Sequence, residues 1–73
     1  MSWKSDLAEL IRQSWRPGQE FKLDQVYIFE AKLRELHPEN GHIRDKVRQT
    51  LQYLRDDGLV SFVDNDGTYL RLR

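Results

Sequence analysis

Arg44, Lys46, Arg48, Gln49 and Gln52 crowd into one short stretch, NGHIRDKVRQTLQYLRDDGL, running from Asn40 to Leu59. Guanidinium, ammonium and carboxamide groups at this density suit one kind of chemistry. They donate to phosphate, or donate and accept along the edges of bases. Spacing decides where they point. Ile43, Val47, Leu51 and Leu54 recur at intervals of four, four and three, which makes one apolar stripe on a helix. At about 100° per residue, the opposite face carries Asp45, Gln49, Gln52 and Asp56. Arg48 flanks that face on one side; His42, Lys46 and Tyr53 flank it on the other. Such a helix could present its polar side to DNA bases, and the same pattern also describes an ordinary solvated helix face.

Arg44, Lys46, Arg48 and Arg55 oppose only Asp45 before the terminal Asp56-Asp57 pair, so the stretch is locally positive. Arg44 and Arg48, four apart, would repel one another. Gln49 and Gln52 carry amides that match the N6 and N7 edge of adenine. Across the whole chain, 12 basic residues balance 12 acidic ones, giving a net charge of +0. Strong generic affinity for nucleic acid is therefore not indicated.

Other chemistries find little support. There is no cysteine, and the two histidines, His37 and His42, make a poor basis for a metal site. Asp56 and Asp57 are adjacent and diverge by about 100° on a helix; Asp before Gly58 reads as a helix end. The DNDG segment, Asp64 to Gly67, lacks the remaining ligands of a calcium loop and reads as turn chemistry. No nucleophile–base arrangement is present, so the chain is expected to have no catalysis of its own, no metal and no cofactor. No run approaches the ~18 apolar residues of a membrane span, and Lys4, Asp6 and Glu9 interrupt any signal-like segment. Absence of cysteine agrees with a cytoplasmic protein.

The elements that must position the polar stretch follow from pattern and punctuation. Seventy-three residues, 38% hydrophobic, make one small domain, residues 1–73, near the lower limit for folding without staples. Both ends lie close to predicted elements, so the sequence reads as one complete domain, free-standing or excised from a longer protein. Trp3, Leu7, Leu10 and Ile11 predict a first helix, roughly residues 2–15, capped by Ser2 or Ser5 and ended by Arg16-Pro17-Gly18. Trp3 is expected in the core. Trp15, off the stripe, is expected to be partly exposed and could face another domain. Residues 20–23 form a very short strand. Asp24 is expected to cap a second helix, about residues 25–36, that buries Val26, Phe29, Leu33 and Leu36. Leu23 and Ile28 are spaced for a hydrophobic staple. His37-Pro38-Glu39 breaks this helix, and Asn40 is expected to cap the third. Residues 59–63 and 68–73 alternate as hairpin strands around the DNDG turn.

Helix, short strand, helix, helix, strand, strand is the order of an α+β winged helix-turn-helix. The hairpin is the wing, and the strand near Phe21 can join it as a third. A three-helix bundle with a loose tail would leave Leu59, Phe62, Tyr69 and Leu72 without a core. Leu7, Leu10, Phe29, Leu33, Ile43, Val47, Leu51, Leu54 and Phe62 are expected to be buried together.

Two segments, GQEFKLDQVYIFEAKL and HPENGHIRDKVRQTLQYLRDDGLVSF, resemble a known family. It is the C-terminal winged-helix domain of DpnI-type, methyl-directed restriction endonucleases, the Dam-replacing family. The likeness rests most on Pro38, Asn40, His42-Ile43, Lys46, Arg48-Gln49, Leu51-Gln52, Leu54-Arg55-Asp56 and Gly58. It implies a DNA-binding module that reads N6-methyladenine in GATC-type sites, while a separate nuclease domain of the parent protein cuts. The implied partner is double-stranded, adenine-methylated DNA, met by a monomer in the cytoplasm of a prokaryotic or phage-infected cell. Asn40 and His42 fall where a recognition helix meets DNA. Arg48, Gln49 and Gln52 match the family's polar positions, and Lys46 matches a residue that could reach phosphate; Arg44 adds a neighbouring cation. The wing departs from the family pattern. A tip with glycine and arginine is usual, whereas Asp64 and Asp66 stand here, leaving Tyr69, Arg71 and Arg73 as the wing's candidate contacts. Neutral charge and an acidic wing favour the alternative, a winged-helix protein-interaction or dimerisation module with little DNA affinity.

Overall fold

A computed structural model describes residues 2–64 and 66–73. Asn65, in the expected wing turn, and Met1 lie outside the described residues. Helix α1 spans Trp3–Ser14. Ser2 and Ser5 act together at its start: the Ser5 amide donates to Ser2 Oγ at 3.1 Å, and the Ser2 amide donates to Ser5 Oγ at 3.3 Å. This reciprocal box satisfies amides that have no partner inside the helix. Leu7, Ala8 and Ile11 are buried on its inner face, with Asp6 beside them.

Strand β1 is Glu20–Lys22. Helix α2, Leu23–Val26, begins earlier than Asp24 would have it, and the expected Asp24 cap gives way to another side chain. Gln25 Oε1 accepts from the Lys22 amide at 2.8 Å. A 3-10 turn, Tyr27–Phe29, then joins α2 to α3, Glu30–Leu36. Tighter winding displaces side chains from the 3.6-residue line, and Ile28 is 72% exposed, so the expected staple with Leu23 does not form. Val26 and Leu33 carry the burial of this region; Phe29 and Leu36 are only partly covered.

Helix α4, Ile43–Asp56, starts later than Asn40. The Asn40 side chain instead accepts from the His42 amide at 2.9 Å and shapes the approach to the helix. Ile43, Val47, Leu51 and Leu54 are buried as one stripe, joined by Thr50, whose hydroxyl donates to the Lys46 carbonyl at 2.6 Å. Gly58, at φ 80°, closes the helix. The Leu59 amide reaches the Leu54 carbonyl and the Gly58 amide reaches the Arg55 carbonyl, each at 3.0 Å. This is a left-handed glycine stop that satisfies the last carbonyls.

Strands β2, Val60–Phe62, and β3, Thr68–Arg71, form the hairpin. The sheet order is β1-β3-β2, all antiparallel, with Tyr69 opposite Phe21 on one side and Phe62 on the other. Phe62 meets the Tyr69 ring edge-on at 4.9 Å, and Phe21 stacks on it at 5.6 Å. Trp15 stacks on Phe21 at 4.3 Å and is 8% exposed. The expectations for the two tryptophans are thus reversed: Trp15 is core, while Trp3 packs at its edge. The chain turns after Ser14 and carries Trp15 onto the sheet, so its place on the helical stripe no longer governs its burial. Leu10 and Phe62 also pack at the edge, and Leu72 is half exposed. The wing is held against α4 by Arg55, whose guanidinium lies 4.7 Å from the Phe62 ring centre. It is held to α2 by the Leu23 amide, which donates to the Gly67 carbonyl at 2.8 Å.

Candidate nucleic-acid interface

The apolar stripe of α4 packs inward, so its polar side is turned out. There, Asn40, His42, Asp45, Lys46, Arg48, Gln49 and Gln52 line an open recess of about 470 Å³. Six of the nine residues expected to contact DNA are gathered in it, together with Asp45, which was not among them. Arg48 and Gln52 also line a smaller recess of about 190 Å³, shared with Phe62, Asp64, Gly67 and Tyr69. The polar surface therefore runs from the start of α4 across to the wing.

Its chemistry is ordered by helix spacing. Lys46 Nζ donates to Gln49 Oε1, and Gln49 Nε2 donates to the Tyr53 hydroxyl, both at 3.3 Å. An ammonium can only donate, so the amide oxygen must face Lys46 and the amide nitrogen must face Tyr53. Each amide atom keeps spare capacity for another bond. Among the described residues, Lys46 and Arg48 make no ion pair with a carboxylate. Tyr53, half exposed, joins this surface; its place four residues after Gln49 was the available signal.

Three expected contacts lie elsewhere or do other work. Arg44 points toward α3: its Nε donates to Glu30 Oε2 at 3.2 Å, and its guanidinium sits 4.6 Å from the Tyr27 ring centre. Tyr69 is mostly buried in the aromatic sheet, with an edge on the smaller recess, and burial raises its phenol pKa above the ordinary value. Arg71 is committed to structure. Its guanidinium donates to the carbonyls of Arg12, Trp15 and Arg73. Arg73 likewise donates to the Asp57 carbonyl at 2.6 Å.

The acidic wing also has an internal reason. Asp64 Oδ1 accepts from the Asp66 amide at 2.9 Å and the Thr68 amide at 3.1 Å. These backbone donors lower its pKa below the ordinary carboxylate value. Asp64 is thus a turn former, and Asp66 is exposed. Among the described residues, no group of three or more His, Cys, Asp or Glu could hold a metal ion, and no helix is long and apolar enough to cross a membrane.

A family model described as the Dam-replacing HTH domain matches residues 2–71. The chain belongs to this family. It is a DNA-binding helix-turn-helix domain, with α3 and α4 as the paired helices and the residue 37–42 segment as the turn between them. In this Dam-replacing HTH domain the second helix of the pair is α4, whose outward face lines the recess.

Proposed function

We propose that this Dam-replacing HTH domain reads N6-methyladenine in a GATC-like duplex, with α4 in the major groove and no catalysis of its own. The recess on α4 carries the proposal: it gathers three carboxamides, those of Asn40, Gln49 and Gln52, with an arginine, a lysine and a histidine beside the Asp45 carboxylate on one open face. Adenine offers an N6 donor and an N7 acceptor to that groove, and a glutamine amide complements both. Methylation leaves one hydrogen on N6, so this bond survives it. Gln49, oriented by Lys46 and Tyr53, has a spare lone pair on Oε1 and a spare hydrogen on Nε2. Gln52 offers a second amide. Arg48 suits guanine or phosphate, and Lys46 suits phosphate.

In this reading, a monomer binds double-stranded DNA in the cytoplasm, and cleavage belongs to a nuclease domain elsewhere in a parent protein. The test is a titration against one duplex in unmethylated, hemimethylated and fully methylated forms. Tighter binding of a methylated form supports the proposal. Equal, weak binding of all three would favour the protein-docking alternative, for which the neutral charge of the chain is the main argument.

A further inference from the structure

We infer that Asp6 and Trp3, both on α1, are positioning residues for the DNA-reading end of α4, and that they act through His37. The inference rests on the DNA-reading role proposed above. His37 Nε2 lies 2.7 Å from Asp6 Oδ2, and the two side chains are 16% and 10% exposed. A carboxylate accepts only, so the ring nitrogen carries the hydrogen and donates. On its face, the imidazole stacks against Trp3, with ring centres 4.3 Å apart and planes 16° from parallel. One residue is therefore held by a directional bond and a flat contact, both from α1.

Its place in the chain gives this clamp its consequence. His37 ends α3, its amide bonding to the Leu33 carbonyl at 2.8 Å. Pro38 follows, and a proline bars the preceding residue from continuing the helix. The Asn40 amide then donates to the His37 carbonyl at 3.2 Å, and Asn40 Oδ1 accepts from the His42 amide at 2.9 Å. Each link passes the position of His37 toward the start of α4. Asn40 lines both the recess over Trp3 and His37 and the recess on α4, so the two surfaces are continuous. On the other side, Glu30 fixes Arg44 in the first turn of α4. The buried stripe seats the body of α4; these two ties set how its leading end is presented. Fixing that end in advance lowers the ordering cost of binding.

The experiment is a double-mutant cycle on the whole domain, read by DNA affinity for a methylated GATC duplex and for a random duplex. Asp6→Ala removes the directional half of the clamp, and His42→Ala removes a leading-end contact whose side chain makes no capping bond. Asp6→Ala is expected to weaken the methylated duplex about three- to tenfold while the random duplex and the helical circular dichroism hold. His42→Ala is expected to matter in the wild type and to lose most of its effect beside Asp6→Ala. Asp6→Asn, which keeps an oxygen acceptor, should restore most of the affinity. A His42→Ala penalty of equal size in both backgrounds overturns the clamp and leaves the reading of α4 standing. Silence of His42→Ala in the wild type overturns contact at the leading end, and the clamp with it. Should Asp6→Ala fail to fold, Trp3→Leu, which removes the stacked ring while keeping an apolar side chain at the edge of the core, enters the same cycle with the same expected and overturning results.

Discussion

Arg71 closes the end of the first helix: its guanidinium donates to the Trp15 carbonyl, and to that of Arg12, from β3, the middle strand of the sheet. The carbonyls at a helix C-terminus lack intrahelical partners, and a cation there also meets the negative end of the helix dipole. Arg71→Ala should therefore act on stability. A loss of about 1–3 kcal/mol is expected, read as a lower midpoint in urea. At temperatures where the variant is folded, its affinity for DNA should match the wild type. A folded variant with weakened DNA binding would return Arg71 to the interface.

The wing separates its two acids by role. Asp66→Asn removes an exposed charge and should strengthen binding if the wing approaches phosphate. Asp64→Ala should instead loosen the turn, since its carboxylate accepts from two backbone amides; Asp64→Asn retains an oxygen and should be milder. Amide exchange at Thr68 reports the turn, and duplex affinity at constant salt reports the charge. No affinity change in Asp66→Asn would place the wing away from DNA.

Salt dependence should be shallow. With Lys46 and Arg48 on the open face and zero net charge overall, about two to four neutralised phosphates would give a log–log slope of about −2 to −4. A slope steeper than about −8 would mean that a much larger cationic surface meets the duplex.

Tyr69 predicts an alkaline limit. Burial raises its pKa in the folded state above 10.0. The unfolded phenol ionises first as pH rises, so unfolding then releases a proton and is favoured by higher pH. The stabilisation is complete below about pH 10 and is lost as pH climbs through the raised value. Tyr69→Phe, which cannot ionise, should flatten that part of the stability curve. Unchanged slopes would show that the phenol is not shielded.

Much of this was legible because it is local. The stripe Ile43, Val47, Leu51 and Leu54 and the Gly58 stop define α4 by spacing alone, and that spacing also turns Lys46, Gln49 and Gln52 outward. The hairpin was legible from alternation around Asp64 and Gly67. What escaped depends on contacts between distant segments. Nothing in spacing couples Asp6 to His37, or sends Arg71 to the end of α1. Trp15 departs from its helical position because the chain leaves the helix before it. Ile28 is exposed because a 3-10 turn breaks the period on which the staple depends. Asn40 has the residue type of a cap, but its side chain bonds within the turn, and the helix begins later.

The most direct test of methyladenine reading by α4 is a competition titration of methylated against unmethylated GATC duplex, run for the wild type and for Gln49→Ala and Gln52→Ala. The wild type should prefer the methylated duplex. At least one glutamine substitution should cost about 1–3 kcal/mol on that duplex while random DNA is bound almost as before. Lys46→Ala, as a phosphate contact, should weaken all duplexes alike. Equal binding of methylated and unmethylated DNA, with both glutamine variants indistinguishable from wild type, would contradict the reader role and leave a docking module in its place.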